Sequence, residues 1–297
     1  MMDKYFPRPS LRGLLIGRRM LGVDENATII CVEGKSDAIA YRKFVGDNKK
    51  IFAVNELSRA KIDNNRDEVE LYSKQYPGDY FIIDDDQRSI YIDDYQKKIP
   101  KNLATTFEYN DLEIWCFTAL YCINSFNKLD LDKDDIMASL ELAKKQGIIR
   151  LIQNKKINLE NDPRWILMYR NIPKQILTSQ PLIDINFNIL DFIYENHQSV
   201  VETNFPDRII RRKNRPTLKE WNVEIAKEEI KSKGAPYLKY IIGHDLTLYL
   251  YCVKATRDKE TMSMDKWLSF EKKFREVAIK EGVWKDFLDT KMGRFLI

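Results

Sequence analysis

Two short apolar runs end abruptly in acid. Thr28-Ile29-Ile30-Cys31-Val32 runs into Glu33-Gly34-Lys35-Ser36-Asp37, and Tyr80-Phe81-Ile82-Ile83 runs into Asp84-Asp85-Asp86. Both runs read as buried strands. A carboxylate at the end of a buried strand is costly unless something pairs with it. In an open α/β sheet the carboxyl ends of neighbouring parallel strands face one crevice, so Glu33, Asp84 and Asp86 are expected to converge there. Asp84 and Asp86 would share one side of an extended chain, with Asp85 the unconstrained residue between them. An all-oxygen ligand set suits a hard cation, Mg²⁺ with Mn²⁺ as the alternative. Beside such a cation a carboxylate such as Glu33 can act as ligand or proton shuttle, and Lys35 can offer its charge to a phosphate. Two plainer readings stay open. Glu33 can serve as a helix-capping acid, a role that Asp37 suits better, and the three aspartates can form a solvated acidic turn. Gly34-Lys35-Ser36 is not a P-loop, because a strand stands where that motif needs its upstream glycine.

The elements that must position these groups alternate. Ser36 to Val45 carries apolar residues at helical spacing, Ile51 to Val54 is a second strand, Arg59 to Gln75 a charged, exposed helix, and Tyr80 to Ile83 the third strand. The order β, α, β, α, β predicts a mostly parallel sheet with right-handed crossovers. Leu103 to Phe107 leads into an apolar helix through Tyr121. Helical periodicity dominates from there, including 134–145 and 182–194. A strand-like run at Tyr237 to Ile242 then closes in Gly243-His244-Asp245-Leu246. The expected division is a catalytic core over 1–125, a mainly helical subdomain over 126–236 packed on it, and a last strand with C-terminal helices over 237–297. Within residues 1–26, Leu11, Leu14, Leu15 and Ile16 alternate with Arg12, Arg18 and Arg19, which suits a short amphipathic helix.

The chain has 297 residues, 44% of them hydrophobic, which is enough for a sizeable core. A net charge of +4 among 32% charged residues cannot draw in nucleic acid by its overall field, so clustered charge must do it. The densest basic run is Arg208, Arg211, Arg212, Lys213 and Arg215, readable as a solvated loop or as a phosphate-contacting surface. Trp165, Tyr169 and Arg170 add rings and charge of the kind that bind unstacked bases. Cys31, Cys116, Cys122 and Cys252 lie on apolar segments without Cys-x-x-Cys spacing, as buried free thiols do. With two histidines in the chain, a zinc site is disfavoured. No membrane-length apolar run and no signal-like N-terminus is present, so a soluble cytoplasmic protein is expected.

The pair Val32-Glu33-Gly34-Lys35-Ser36-Asp37 and Ile82-Ile83-Asp84-Asp85-Asp86 resembles the TOPRIM domain of topoisomerases, bacterial primases and several nucleases, whose pattern is a strand closing in Glu-Gly and a later strand closing in Asp-x-Asp. A glycine often follows that second motif, and Gln87-Arg88-Ser89 stands here. Glu113, in Tyr109-Asn110-Asp111-Leu112-Glu113-Ile114, resembles a glutamate of a Tyr-x-x-Glu-Asn type segment in some nuclease branches, with Ile114 replacing the asparagine. His244 lies in a Gly-His-Asp-Leu segment similar to one late in the same branches. The resemblance implies a TOPRIM-like α/β fold and a metal set of Glu33, Asp84, Asp86 and Glu113, with Glu33, Lys35 and His244 catalytic. It is nearest to the toxic TOPRIM effectors of bacterial anti-phage defence, the nuclease of the PARIS type above all. That implies a Mg²⁺-dependent endoribonuclease cutting transfer RNA, held by an ABC-type ATPase sensor and active as a homodimer. A DNA endonuclease of the overcoming-lysogenization-defect type, and a partner-binding protein with a vestigial core, are the alternatives.

Overall fold

The computed structural model describes residues 27–45, 48–57, 65–106, 110–165, 172–195, 215–233 and 237–296. The basic amphipathic segment expected within 1–26 lies outside the described residues, as do Tyr169, Arg170, Arg208, Arg211, Arg212 and Lys213. The chain divides into two compact units, Met1–Glu108 with Val283–Ile297, and Tyr109–Gly282.

The first unit is α/β, a parallel sheet flanked by helices. Its strands are β1 (Thr28–Val32), β2 (Lys49–Ala53), β3 (Tyr80–Ile83) and β4 (Leu103–Thr105), in the order β2-β1-β3-β4, all parallel. Helix α1 (Lys35–Tyr41) joins β1 to β2, and α2 (Asn65–Gln75) precedes β3. The apolar runs are continuous, as strands covered on both faces require. Ile29 and Cys31 of β1 join Phe81 and Ile83 of β3, Leu103 of β4 and Val69 and Tyr72 of α2 in one buried cluster. Ile30 and Val32 point to the opposite face by the two-residue period of a strand. Tyr41 of α1 stacks on Phe287, and its hydroxyl lies 3.6 Å from Met292 Sδ, so the short helices Lys285–Leu288 and Lys291–Leu296 belong to this unit's core.

The second unit is helical. It holds α3 (Leu112–Tyr121), α4 (Lys133–Asn158), α5 (Ile172–Ser179), a helix over 189–195, α6 (Leu218–Ser232), α7 (Gly243–Arg257) and α8 (Met264–Glu281). The strand expected at 237 is a correction: Tyr237–Tyr240 is a 3-10 turn, and α7 starts at Gly243. Leu246, Leu248, Tyr249, Leu250 and Cys252 are all buried, so α7 is covered all round. Such a helix leaves the same unbroken apolar run as a buried strand, and periodicity cannot separate the two. The division also falls differently from the expected 1–125, 126–236 and 237–297. Helix α3 belongs to the helical unit, and residues from 283 onward return to the sheet unit. Among the described residues no helix is long and apolar enough to cross a membrane.

One side chain ties the end of α2 to the sheet. Asn102 Nδ2 donates to the carbonyls of Ser73, Tyr76 and Asp79 at 2.9, 3.2 and 3.0 Å, fixing the turn that delivers the chain to β3. Removing the donor strands carbonyls at a helix end, which costs about 1–3 kcal/mol where they are shielded from water. Asn102→Ala is expected to lower the unfolding free energy by that amount in a urea titration. A midpoint unchanged from the parent would show the clip to be idle.

Candidate functional site

The order β2-β1-β3-β4 means that the chain leaves β1 to one side and returns as β3 on the other. The carboxyl ends of β1 and β3 therefore flank a topological switch point, where open α/β sheets bind ligands. Val32 pairs with Ile82, which puts the residues after each strand side by side. Glu33 Oε1 accepts the backbone N–H of Asp84 at 2.8 Å, so the first acidic motif is hydrogen-bonded to the second. Both residues line one small crevice with Asp37 and Tyr41. Burial pushes the Glu33 carboxyl up to about 7; the Arg66 guanidinium and the Asp84 N–H pull it down, while Asp86 and Asp37 push it up. A carboxyl poised there exchanges its proton at neutral pH.

The capping role goes to Asp37, whose Oδ2 accepts the Gly34 N–H at 3.0 Å. A Cβ on residue 34 would lie 2.9 Å from that oxygen, so a larger residue would displace the Asp37 cap. Lys35 is exposed at the start of α1.

The three aspartates differ from expectation. The middle one is the constrained one. Asp85 is 1% exposed, its N–H donates to Thr106 Oγ1 at 2.9 Å, and its Oδ2 accepts from Ser89 Oγ at 2.6 Å and Ser89 N at 3.1 Å. Asp86 does not continue the extended chain: its φ is +47°, and its side chain is 53% exposed. Strand β3 ends at Ile83, so the alternation that would align Asp84 with Asp86 has lapsed. Gln87 also takes a left-handed φ, +64°, the conformation a glycine would supply.

Asp86 has a protein partner that the sequence reading missed. Arg66, 3% exposed, donates NH1 to Asp86 Oδ2 at 2.8 Å, NH2 to the Tyr95 hydroxyl at 2.8 Å and Nε to Glu70 at 3.1 Å. Helix α2 is thus not simply exposed. Glu33, Asp84 and Asp86 share one edge, yet they do not form a set of ligand atoms all within 4.8 Å; among the described residues, only Glu113, His244 and Glu271 do.

That second group lies in the helical unit and reads as an ion-pair network. Asp111 caps α3, accepting from Ile114 N at 3.2 Å, and also takes the Gly243 N–H at 2.5 Å. A Cβ on residue 243 would collide with Asp111 Oδ1 and Glu113 Cβ, so the glycine of Gly-His-Asp allows two helix starts to meet. His244 Nδ1 lies 2.6 Å from Glu271 Oε1, a hydrogen-bond separation. Arg275 pairs with Glu113 and stands 3.7 Å from Glu271. Two cations thus already answer the buried Glu113 and Glu271, with no metal required. Asp245 is buried on Arg150 at 2.7 Å.

Elsewhere, Arg215 stacks over the Tyr194 ring at 4.2 Å. Trp165 is not a free ring for bases; it is buried against Trp221, centroids 4.7 Å apart. Of the cysteines, Cys122 is exposed and the other three are buried. No protein-family model, curated protein or solved structure matches the chain.

The His244 ring is 59% exposed, but its Nδ1 side is crowded. Desolvation there opposes the charge, while Glu113, the Glu271 hydrogen bond and Asp111 outweigh it and push the ring up to about 10. The folded value lies above the unfolded one, near 6.5. The imidazolium therefore stabilises the unit fully below about pH 6.5, and that stabilisation is lost as pH rises through about 10. Imidazole NMR should show His244 titrating well above 8 in the native protein and falling back towards 6.5 in Glu271→Gln. Titration near 6.5 in the parent would dissolve the network.

Proposed function

We propose that the chain is a metal-dependent phosphodiester-cleaving nuclease of TOPRIM type, with its centre at the carboxyl ends of β1 and β3. The observation that carries this reading is the juxtaposition of Glu33 and Asp84 at the switch point, with the Glu33 carboxyl raised to about 7.

The donor set fits a hard cation. Mg²⁺ is commonly held by one or two carboxylates, with water and substrate phosphate completing its shell, so a compact three-carboxylate cage is not needed. Glu33 and Asp84 would hold it, with Asp86 on Arg66 beside them. Bound there, Mg²⁺ or Mn²⁺ would polarise a phosphoryl oxygen. The chain's own groups do the rest. Glu33 Oε2 is left to bind or to exchange a proton while Oε1 stays on the Asp84 N–H, and that bond sets the carboxyl plane. Lys35, exposed on the first turn of α1, offers charge to a backbone phosphate.

Transfer RNA as substrate, restraint by an ATPase sensor, a homodimeric active form and a defence role follow from the resemblance of Glu33-Gly34 and Asp84-Asp85-Asp86 to the TOPRIM effectors. The reading of a vestigial, partner-binding core has one observation in its favour: Arg66 already neutralises Asp86.

Cleavage of labelled transfer RNA and of plasmid DNA, with and without Mg²⁺, separates these readings. Mg²⁺-dependent cutting of transfer RNA is expected. Cutting of plasmid alone makes the protein a DNA endonuclease, and cutting of neither supports the vestigial core. Glu33→Gln should lower the rate by about 10²–10⁴. It should also melt no lower than the parent at pH 8, since it removes a charge that burial disfavours. Full activity in Glu33→Gln would move the centre elsewhere.

A further inference from the structure

We propose that Arg66 is a positioning residue that sets how tightly the sheet edge holds a divalent cation, by keeping Asp86 on its guanidinium and opposing the field of the carboxylates; this rests on the metal-dependent reading above. Arg66 sits on a strongly polar helix, yet it is nearly inaccessible, and its three nitrogens are each engaged. Glu70 Oε1 also accepts Arg88 NH1 at 3.3 Å, and Arg88 N donates to Asp85 O at 2.9 Å. Helix α2 thus grips the acidic turn through Asp86 and again through Arg88. Two consecutive non-glycine residues of that turn, Asp86 and Gln87, have left-handed backbones, which persist only where the surroundings hold them.

A guanidinium does not give up its proton in a protein, so the charge at residue 66 is permanent, and burial leaves it little screened. It lies 2.8 Å from Asp86, on the turn that directly follows Asp84. A cation arriving between Glu33 and Asp84 meets this fixed positive charge and finds Asp86 engaged. The edge is thereby a weak cation site by construction, one that fills when the phosphates of a bound polyanion add their oxygens. No sequence signal marks this, because an arginine four residues before a glutamate on a charged helix reads as a surface pair.

The test is Mn²⁺ binding to the full chain, read as the loss of the free-ion EPR signal, for the parent, Arg66→Lys, Arg66→Gln and Arg66→Gln/Asp86→Asn. Arg66→Gln should bind Mn²⁺ at least about tenfold more tightly than the parent, and Arg66→Lys, which keeps the charge, within about threefold of it. Adding Asp86→Asn to Arg66→Gln should remove most of the gain. Arg66→Met, which keeps the stem, is the second charge-free variant should Arg66→Gln fail to fold, with circular dichroism as the check. Binding by the parent that charge removal leaves unchanged or weakens overturns the role of Arg66 alone. Absence of Mn²⁺ binding in the parent and in Arg66→Gln alike overturns the metal reading together with it. Failure of both charge-free variants to fold also counts against the proposal, by making Arg66 a residue of the fold.

Discussion

The sheet unit depends on how a half-buried carboxylate is accommodated at a strand end. Glu33 follows a strand whose residues are almost wholly buried, and its charge is eased by the Arg66 guanidinium and by the N–H of Asp84, which follows the neighbouring strand. That bond requires the parallel register of β1 on β3, which in turn requires the apolar faces of both strands to be covered. The relief is partial, since the carboxyl stays well above its ordinary range. A group held in that condition is suited to trading its proton for another cation, and this links the packing of the sheet to the proposed chemistry.

Around it, three acidic groups of the edge each have a distinct partner. Asp37 caps α1, Asp85 is fixed by Ser89, and Asp86 rests on Arg66. Glu33 and Asp84 line the crevice. Five acids that look equivalent in the sequence thereby divide into those held by neighbouring groups and those that line the crevice. The helical unit answers the same problem with cations, setting His244 and Arg275 against Glu271 and Glu113.

What was legible in the sequence followed from local pattern. The β-branched runs ending in acid identified β1 and β3, their alternation with helices implied the parallel sheet, and the two together put Glu33 beside Asp84. What was illegible depended on long-range partners or on single dihedrals. Arg66 looked like surface charge because its burial comes from Asp86 and Tyr95, twenty and more residues away. Asp85 is held by Ser89 and Asp86 turns to Arg66 because the chain leaves the extended region after β3, which no composition rule reports. Gly243-His244-Asp245 read as a strand end because a helix buried all round has no polar stripe, and its true signal was the glycine, needed where Asp111 and Glu113 crowd the backbone.

The most direct measurement of the central claim is an anomalous difference map from crystals of the protein grown with Mn²⁺ and a bound oligoribonucleotide. The account predicts a peak at the carboxyl ends of β1 and β3, within bonding distance of Glu33 and Asp84 oxygens. A peak at Glu113, His244 and Glu271 with none at the sheet edge, or no ordered Mn²⁺ at all, would contradict it.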